Sequence, residues 1–126
     1  MLMENEARRV LIVDDNPNMS NLLSDMLEVF DFSSQRASDG EEALSLLNQE
    51  DFSLLITDLR MPKMTGLELL KAVKDKFPRL PVVVITGYST EATEHELLTA
   101  KADGFLNKPF RMNDIESVLR KFSLME

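Results

Sequence analysis

Cysteine is absent from the 126-residue chain, which removes a disulfide framework, a thiolate metal site and a cysteine nucleophile together. No apolar run approaches the ~18 residues that span a bilayer. The stretch from Met1 to Arg9 lacks the apolar core of a secretory signal. Positive charge is in short supply: 14 Lys and Arg face 22 Asp and Glu, for a net charge of −8 and a pI near 4.7. Such a surface repels phosphate backbones, so direct nucleic-acid binding is not expected. No linker, internal repeat or low-complexity stretch interrupts the sequence. What is there is an ordinary globular balance, 44% hydrophobic and 29% charged, on a length that fits one domain over residues 1–126 against a usual ~150. Folding at that size buries roughly 60% or more of the extended chain's surface, enough for a core without staples. The expectation is a soluble, cytoplasmic domain that does not enter a membrane.

Four short apolar runs stand out: Val10–Val13, Leu54–Ile56, Val82–Ile85 and the shorter Phe105–Leu106. They are continuous rather than alternating, which suits strands covered on both faces of a parallel sheet. A fifth, weaker strand over Phe32–Ala37 carries Gln35 and Arg36, tolerable at a sheet edge. Between the runs the period changes to 3.6. Met19, Leu22, Leu23, Met26, Leu27 and Phe30 form one stripe, opened by Asn16 as N-cap and Pro17 at the first helical position. Ser38 with Glu41, and Thr65 with Glu68, read as capping boxes for the second and third helices, and Pro78 and Pro81 bracket the exit from the third. The fourth helix, about Thr90 to Lys101, has a thin apolar face. The fifth carries Ile115, Val118, Leu119 and Phe122, with its cap open between Arg111 and Asn113. Five βα repeats imply an α/β fold, a doubly wound five-stranded parallel sheet with right-handed crossovers.

In such a sheet a ligand binds beyond the carboxyl ends of the strands, where strand order reverses. Asp14 and Asp15 follow the first strand, Asp58 the third, Thr86 the fourth and Lys108 the fifth. With order 2-1-3-4-5 the first and third strands are neighbours, and Asp14, Asp15 and Asp58 converge. At ~4 Å each like-charged pair costs about 4 kcal/mol at an effective dielectric near 20. Either a carboxyl holds its proton or a cation neutralises the group. A few hard oxygen ligands open to water suit Mg²⁺. An ammonium group from Lys108 and a hydroxyl from Thr86 beside a carboxylate are the parts that phosphoryl transfer requires, with the carboxylate as nucleophile.

These residues, in this order, resemble the receiver domain of bacterial two-component response regulators. The matching pieces are Val-Asp14-Asp15-Asn16, Thr57-Asp58-Leu-Arg-Met61-Pro62 with Gly66, Thr86-Gly87, and Phe105-Leu-Asn-Lys108-Pro109-Phe110. The resemblance runs from about Arg9 to Phe122 and implies a flavodoxin-like (βα)5 fold. It implies that Asp58 is the phosphoacceptor, supplied by a histidine kinase or histidine phosphotransfer protein. Asp14, Asp15 and Asp58 would bind Mg²⁺ together with the backbone carbonyl of Arg60. Lys108 would neutralise a phosphoryl oxygen, Thr86 would hydrogen-bond another, and Gly87 would leave room beside them. Thr86 and Phe105 would form the switch, altering the surface of the fourth helix, fifth strand and fifth helix for an output partner or an output domain outside this sequence. The protein would promote its own phosphorylation and dephosphorylation without being a turnover enzyme. The resemblance leaves room for phosphorylation-dependent homodimerisation, and it makes the bond before Pro109 cis, which X-Pro bonds adopt only about 5–6% of the time.

Each residue also has a plainer reading. Asp14 and Asp15 alone are solvated acids favoured by a helix dipole. Asp58 alone is a loop acid, Lys108 a surface lysine, and Thr86 a strand-end hydroxyl. The plain reading has to hold at four strand ends together, which weakens it. An aromatic such as Phe105 in a short strand is usually core, His95 lies on a polar helix, and the eight methionines fill core gaps or mark a contact surface. Arg60 and Tyr88, two positions beyond Asp58 and Thr86, either govern water access or are ordinary loop residues. Three rival functions share the fold. A flavin carrier needs amides to cradle a phosphate after the first strand, where Asp14 and Asp15 repel one. An aspartyl phosphatase places its nucleophile after the first strand in a D-x-D pattern, whereas this chain reads Asp14-Asp15-Asn16. A receiver fold that no longer takes phosphate has no need of all five polar residues.

Overall fold

A computed structural model describes residues 8–87 and 90–122. Strand and helix alternate five times: β1 (Arg9–Val13), α1 (Pro17–Val29), β2 (Ser33–Ala37), α2 (Gly40–Gln49), β3 (Leu54–Asp58), α3 (Gly66–Lys76), β4 (Val82–Thr86), α4 (Glu91–Thr99), β5 (Gly104–Asn107) and α5 (Met112–Lys121). The strands form one parallel sheet in the order β2-β1-β3-β4-β5, as the alternation and the rim argument require. No helix among the described residues is long and apolar enough to cross a membrane.

The continuous apolar runs are explained by what lies on each face. Val10, Ile12, Leu54, Ile56, Val83 and Ile85 pack with Leu23 and Leu27 of α1 and with Ile115 and Leu119 of α5. The intervening Leu11, Val13, Leu55 and Val84 pack instead with α2, α3 and Leu97 of α4. Alternate side chains therefore serve two cores, and the apolar runs of the inner strands leave no position for a charged residue until the carboxyl end. Phe32, read from sequence as the start of the second strand, precedes β2 and is buried under α1 in the first core.

The helix caps hold α1 to α5 at the rim. Asn16 caps α1, its side chain accepting from Asn18 N–H at 2.9 Å. Thr65 and Glu68 form the expected reciprocal box on α3, the Thr65 N–H donating to the Glu68 carboxylate and the Thr65 Oγ1 accepting from Glu68 N–H. Hydrogen bonding to Thr65, its amide first, holds the Glu68 carboxyl below its usual range. The α2 cap corrects the sequence reading. Asp39, not Ser38, is the N-cap, its Oδ1 accepting from Glu42 N–H at 2.8 Å, while Ser38 N–H donates to the Glu42 carboxylate at 2.6 Å. For α5, Arg111 takes the cap position and its N–H donates to the Asp114 carboxylate at 2.7 Å. On α4 only Leu97 is buried, and Leu98 is 57% exposed, so this helix rests on the sheet through the thin face expected of it.

Candidate functional site

Strand register, before any loop, sets the first geometric fact. Val13 pairs with Thr57 across β1 and β3, so the next residues, Asp14 and Asp58, stand side by side at the rim. Across β3 and β4, Asp58 pairs with Ile85, which puts Thr86 one step beyond it. Thr86 pairs with Asn107, and Lys108 follows, its N–H donating to the Thr86 carbonyl at 2.9 Å. The five polar residues expected on one rim are there.

Asp14, Asp15 and Asp58 each bring a carboxylate oxygen within 4.8 Å of the others. Asp14 is 1% exposed and Asp58 9%, whereas Asp15 is open to solvent. Asp14 Oδ1 accepts from Asn16 N–H at 2.9 Å, but its Oδ2 is buried with no hydrogen-bond partner among the described residues. Burial pushes the Asp14 carboxyl above its usual range and the nearby charges of Asp58 and Asp15 push the same way, against the opposing pull of the Asn16 amide and Lys108. A buried carboxylate oxygen without a donor is costly unless something positive meets it. Three hard oxygen ligands with one open side fit a small divalent cation.

Asp58 is held from two sides. Its Oδ1 accepts from Arg60 N–H at 3.3 Å, and its Oδ2 faces Lys108 Nζ at 3.3 Å. Asp58, Leu59, Arg60, Thr86, Gly87 and Lys108 line a cleft of about 190 Å³, room for a small tetrahedral group with some water. The room does not itself require Gly87: a Cβ there would make only ordinary contact with Lys108 Cδ at 3.7 Å. The loop that carries Asp58 closes tightly behind it. Gly66 N–H donates to the Leu59 carbonyl at 2.8 Å. A Cβ on Gly66 would overlap the Asp58 carbonyl oxygen and come within 2.7 Å of Leu59 Cα, so only glycine lets α3 start this close to the end of β3. The sequence motif included Gly66 without supplying that reason.

Lys108–Pro109 is a cis peptide, as the resemblance implied. Phe105 is half-buried and packs against the core shared with Leu97 and Ala102. The Arg60 side chain is exposed. Tyr88 lies outside the described residues. His95 is exposed on α4, in keeping with a surface residue. Sequence reasoning missed Arg36, read only as an edge-strand charge. Its guanidinium reaches Ser20 Oγ at 3.0 Å and the Asp14 carbonyl at 3.4 Å.

A family model described as the response regulator receiver domain matches residues 10–120. Among curated relatives, the transcriptional regulatory protein CpxR of Escherichia coli is 38% identical over 89% of this chain, which spans 47% of CpxR's length. The chemotaxis protein CheY-3 of Vibrio cholerae is 33% identical, over 93% of this chain and 92% of its own. A solved response regulator from Burkholderia pseudomallei, described with a phosphorylated aspartic acid, a calcium ion and citrate, is 30% identical with a TM-score of 0.81, over 89% of this chain and 66% of that one. On the strength of a model spanning most of its length and of a relative matched almost end to end, the chain belongs to the receiver domains of two-component response regulators, whose general function is to accept a phosphoryl group on an aspartate.

Proposed function

We propose that Asp58 is the phosphoacceptor of this receiver and that the acidic cluster holds Mg²⁺ through Asp14, Asp15 and Asp58, with the Arg60 carbonyl as a further ligand. The observation that carries this is the orphaned Asp14 Oδ2, buried beside Asp58 while the far oxygen of Asp58 faces Lys108. A bound divalent ion supplies charge neutralisation for the carboxylates and for the incoming phosphoryl oxygens.

An Asp58 carboxylate oxygen attacks phosphorus of a phosphohistidine on a histidine kinase or histidine phosphotransfer protein. The P–N bond breaks, its electron pair stays on the imidazole nitrogen, and an acyl phosphate forms on Asp58. Lys108 offsets charge on one phosphoryl oxygen. Thr86, 4% exposed and lining the same cleft, donates its hydroxyl to another. The Burkholderia pseudomallei protein, described with a phosphorylated aspartic acid and a calcium ion, supports an aspartate acceptor in a protein that also takes a divalent cation. Hydrolysis regenerates Asp58, and the protein turns over no metabolite.

Movement of Thr86 toward the phosphoryl group vacates space that Phe105 fills at no polar cost, having no hydroxyl to leave unsatisfied. The lightly anchored α4 shifts with it. The altered surface of α4, β5 and α5 then addresses an effector protein or an output domain outside this sequence, or pairs two phosphorylated copies. With a net charge of −8, this domain leaves nucleic-acid contact to such partners, and it works in the cytoplasm, where the kinases are.

The test is intact mass after treatment with acetyl phosphate and MgCl₂. The unaltered chain gains one phosphate and Asp58→Asn gains none. A gain that persists in Asp58→Asn overturns the acceptor assignment. For the switch, beryllofluoride should change the Phe105 rotamer, and an unchanged rotamer overturns that part.

A further inference from the structure

The Asp14 carboxyl is aimed by groups outside the acidic cluster. Asn16 N–H takes Oδ1 at 2.9 Å, which fixes the carboxyl plane and leaves Oδ2 buried without a partner among the described residues, in a carboxyl grouped with those of Asp58 and Asp15. The Asn16 carbonyl in turn accepts from both the N–H and the hydroxyl of Ser20, each at 3.1 Å. Ser20 is 2% exposed, and with its proton committed to Asn16 its oxygen accepts from Arg36 Nε at 3.0 Å. Arg36 Nη2 closes the circuit on the Asp14 carbonyl at 3.4 Å, beside the ladder bond from Asp14 N–H to the Ala37 carbonyl at 3.1 Å. An edge-strand charge placed only for solubility has no need to turn back onto a buried hydroxyl and a main-chain oxygen.

We propose that Arg36 is a positioning residue for the divalent-cation site, acting through Ser20 and Asn16 to hold the Asp14 carboxylate in its ligating orientation. The proposal rests on the Mg²⁺ reading above. Two effects of Arg36 oppose each other. Its permanent charge beside carboxylates disfavours a second cation, while the brace favours one by fixing the ligand beforehand. The Arg36 side chain is exposed, so salt screens its charge over about 8 Å at physiological strength. Its hydrogen bond ends on a buried oxygen and escapes that screening. The brace therefore prevails, and loss of Arg36 weakens the site.

Calorimetric titration of Mg²⁺ into the unphosphorylated chain tests this, with the metal-free melting temperature as a control. Arg36→Ala and Ser20→Ala should each weaken Mg²⁺ binding by about tenfold, the usual cost of losing an outer-shell partner. The double variant should be little worse than either, because one path carries both effects. Arg36→Gln, which keeps a donor without the charge, should restore most of the affinity. Tighter binding in Arg36→Ala would show the guanidinium acting as charge alone and overturn the proposal. So would losses that multiply in the double variant, or a lowered metal-free melting temperature with Mg²⁺ affinity unchanged. Failure of the unaltered chain to bind Mg²⁺ would instead overturn the metal reading and this proposal with it, an outcome distinct from normal binding that Arg36→Ala leaves untouched.

Discussion

The two rims of the sheet treat charge in opposite ways. At the amino-terminal rim, charges are closed into short pairs and ladders. Lys74 Nζ, its side chain 11% exposed, meets both the Leu80 carbonyl and the Asp103 carboxylate at 2.7 Å. The same Asp103 oxygen accepts from Val82 N–H at 2.8 Å, and Lys121 Nζ donates to the Asp103 carbonyl at 2.7 Å. Arg9 pairs with Glu50 at 2.7 Å and lies over the Phe52 ring at 4.8 Å. At the carboxyl-terminal rim, three carboxylates crowd together, one buried oxygen has no partner among the described residues, and the Asp58–Lys108 contact is longer, at 3.3 Å. The same kinds of side chain make a closed joint at one end and a crowded, net-negative cluster at the other.

Breaking the joint should have the largest effect on stability. Asp103→Ala strands the Lys74 ammonium and the Val82 amide, and in denaturant melts it should lose about 2–3 kcal/mol while its phosphate mass gain stays intact. A loss confined to phosphorylation would contradict the division between the rims. At the other rim the sign should reverse. Asp14→Asn removes a buried charge, so the metal-free chain should gain about 1–2 kcal/mol at pH 7 and lose its stabilisation by Mg²⁺.

The pH dependence of that gain follows from burial, which lifts the Asp14 carboxyl above its ordinary value of 3.8. The folded chain holds this proton more tightly than the unfolded chain does. The resulting stability is fully present below pH 3.8 and is lost as pH rises through the raised folded value. Melts across pH should therefore show the advantage of Asp14→Asn widening toward neutrality, and a constant gap would refute the assignment. The smallest effect belongs to Lys108→Ala. Its side chain is 34% exposed, so stability should change by under about 1 kcal/mol. Labelling should remain possible while phosphorylation-induced shifts in the NMR spectrum of α4 shrink.

The reactive rim was legible in the sequence and the joint was not. Asp14, Asp58, Thr86 and Lys108 each end an apolar run, and a topological rule brings strand ends together without side-chain detail. Lys74 and Asp103 sit at a helix end and in a loop, in surroundings that many surface charges share, and only the packed chain shows them touching. The α2 cap slipped by one because Ser38 and Asp39 are both good caps, and backbone geometry chose between them. Arg36 was missed for a related reason. In sequence an edge-strand arginine has many ordinary uses, and its link to Asp14 runs through a serine on a different element. Phe105, read plainly as core, is only half-buried, and its part in a switch is a matter of two states rather than one.

Because Val13 and Thr57 are paired rungs of the β1–β3 ladder, the backbone positions of the two inner acids belong to the framework, and the connecting segments only orient their carboxylates. Exchanging exposed side chains in the loop between Arg60 and Thr65, with its length and Gly66 kept, would change the surface beside the cleft while the rungs that carry Asp14 and Asp58 stay in place. Recognition and chemistry can then diverge independently on one scaffold.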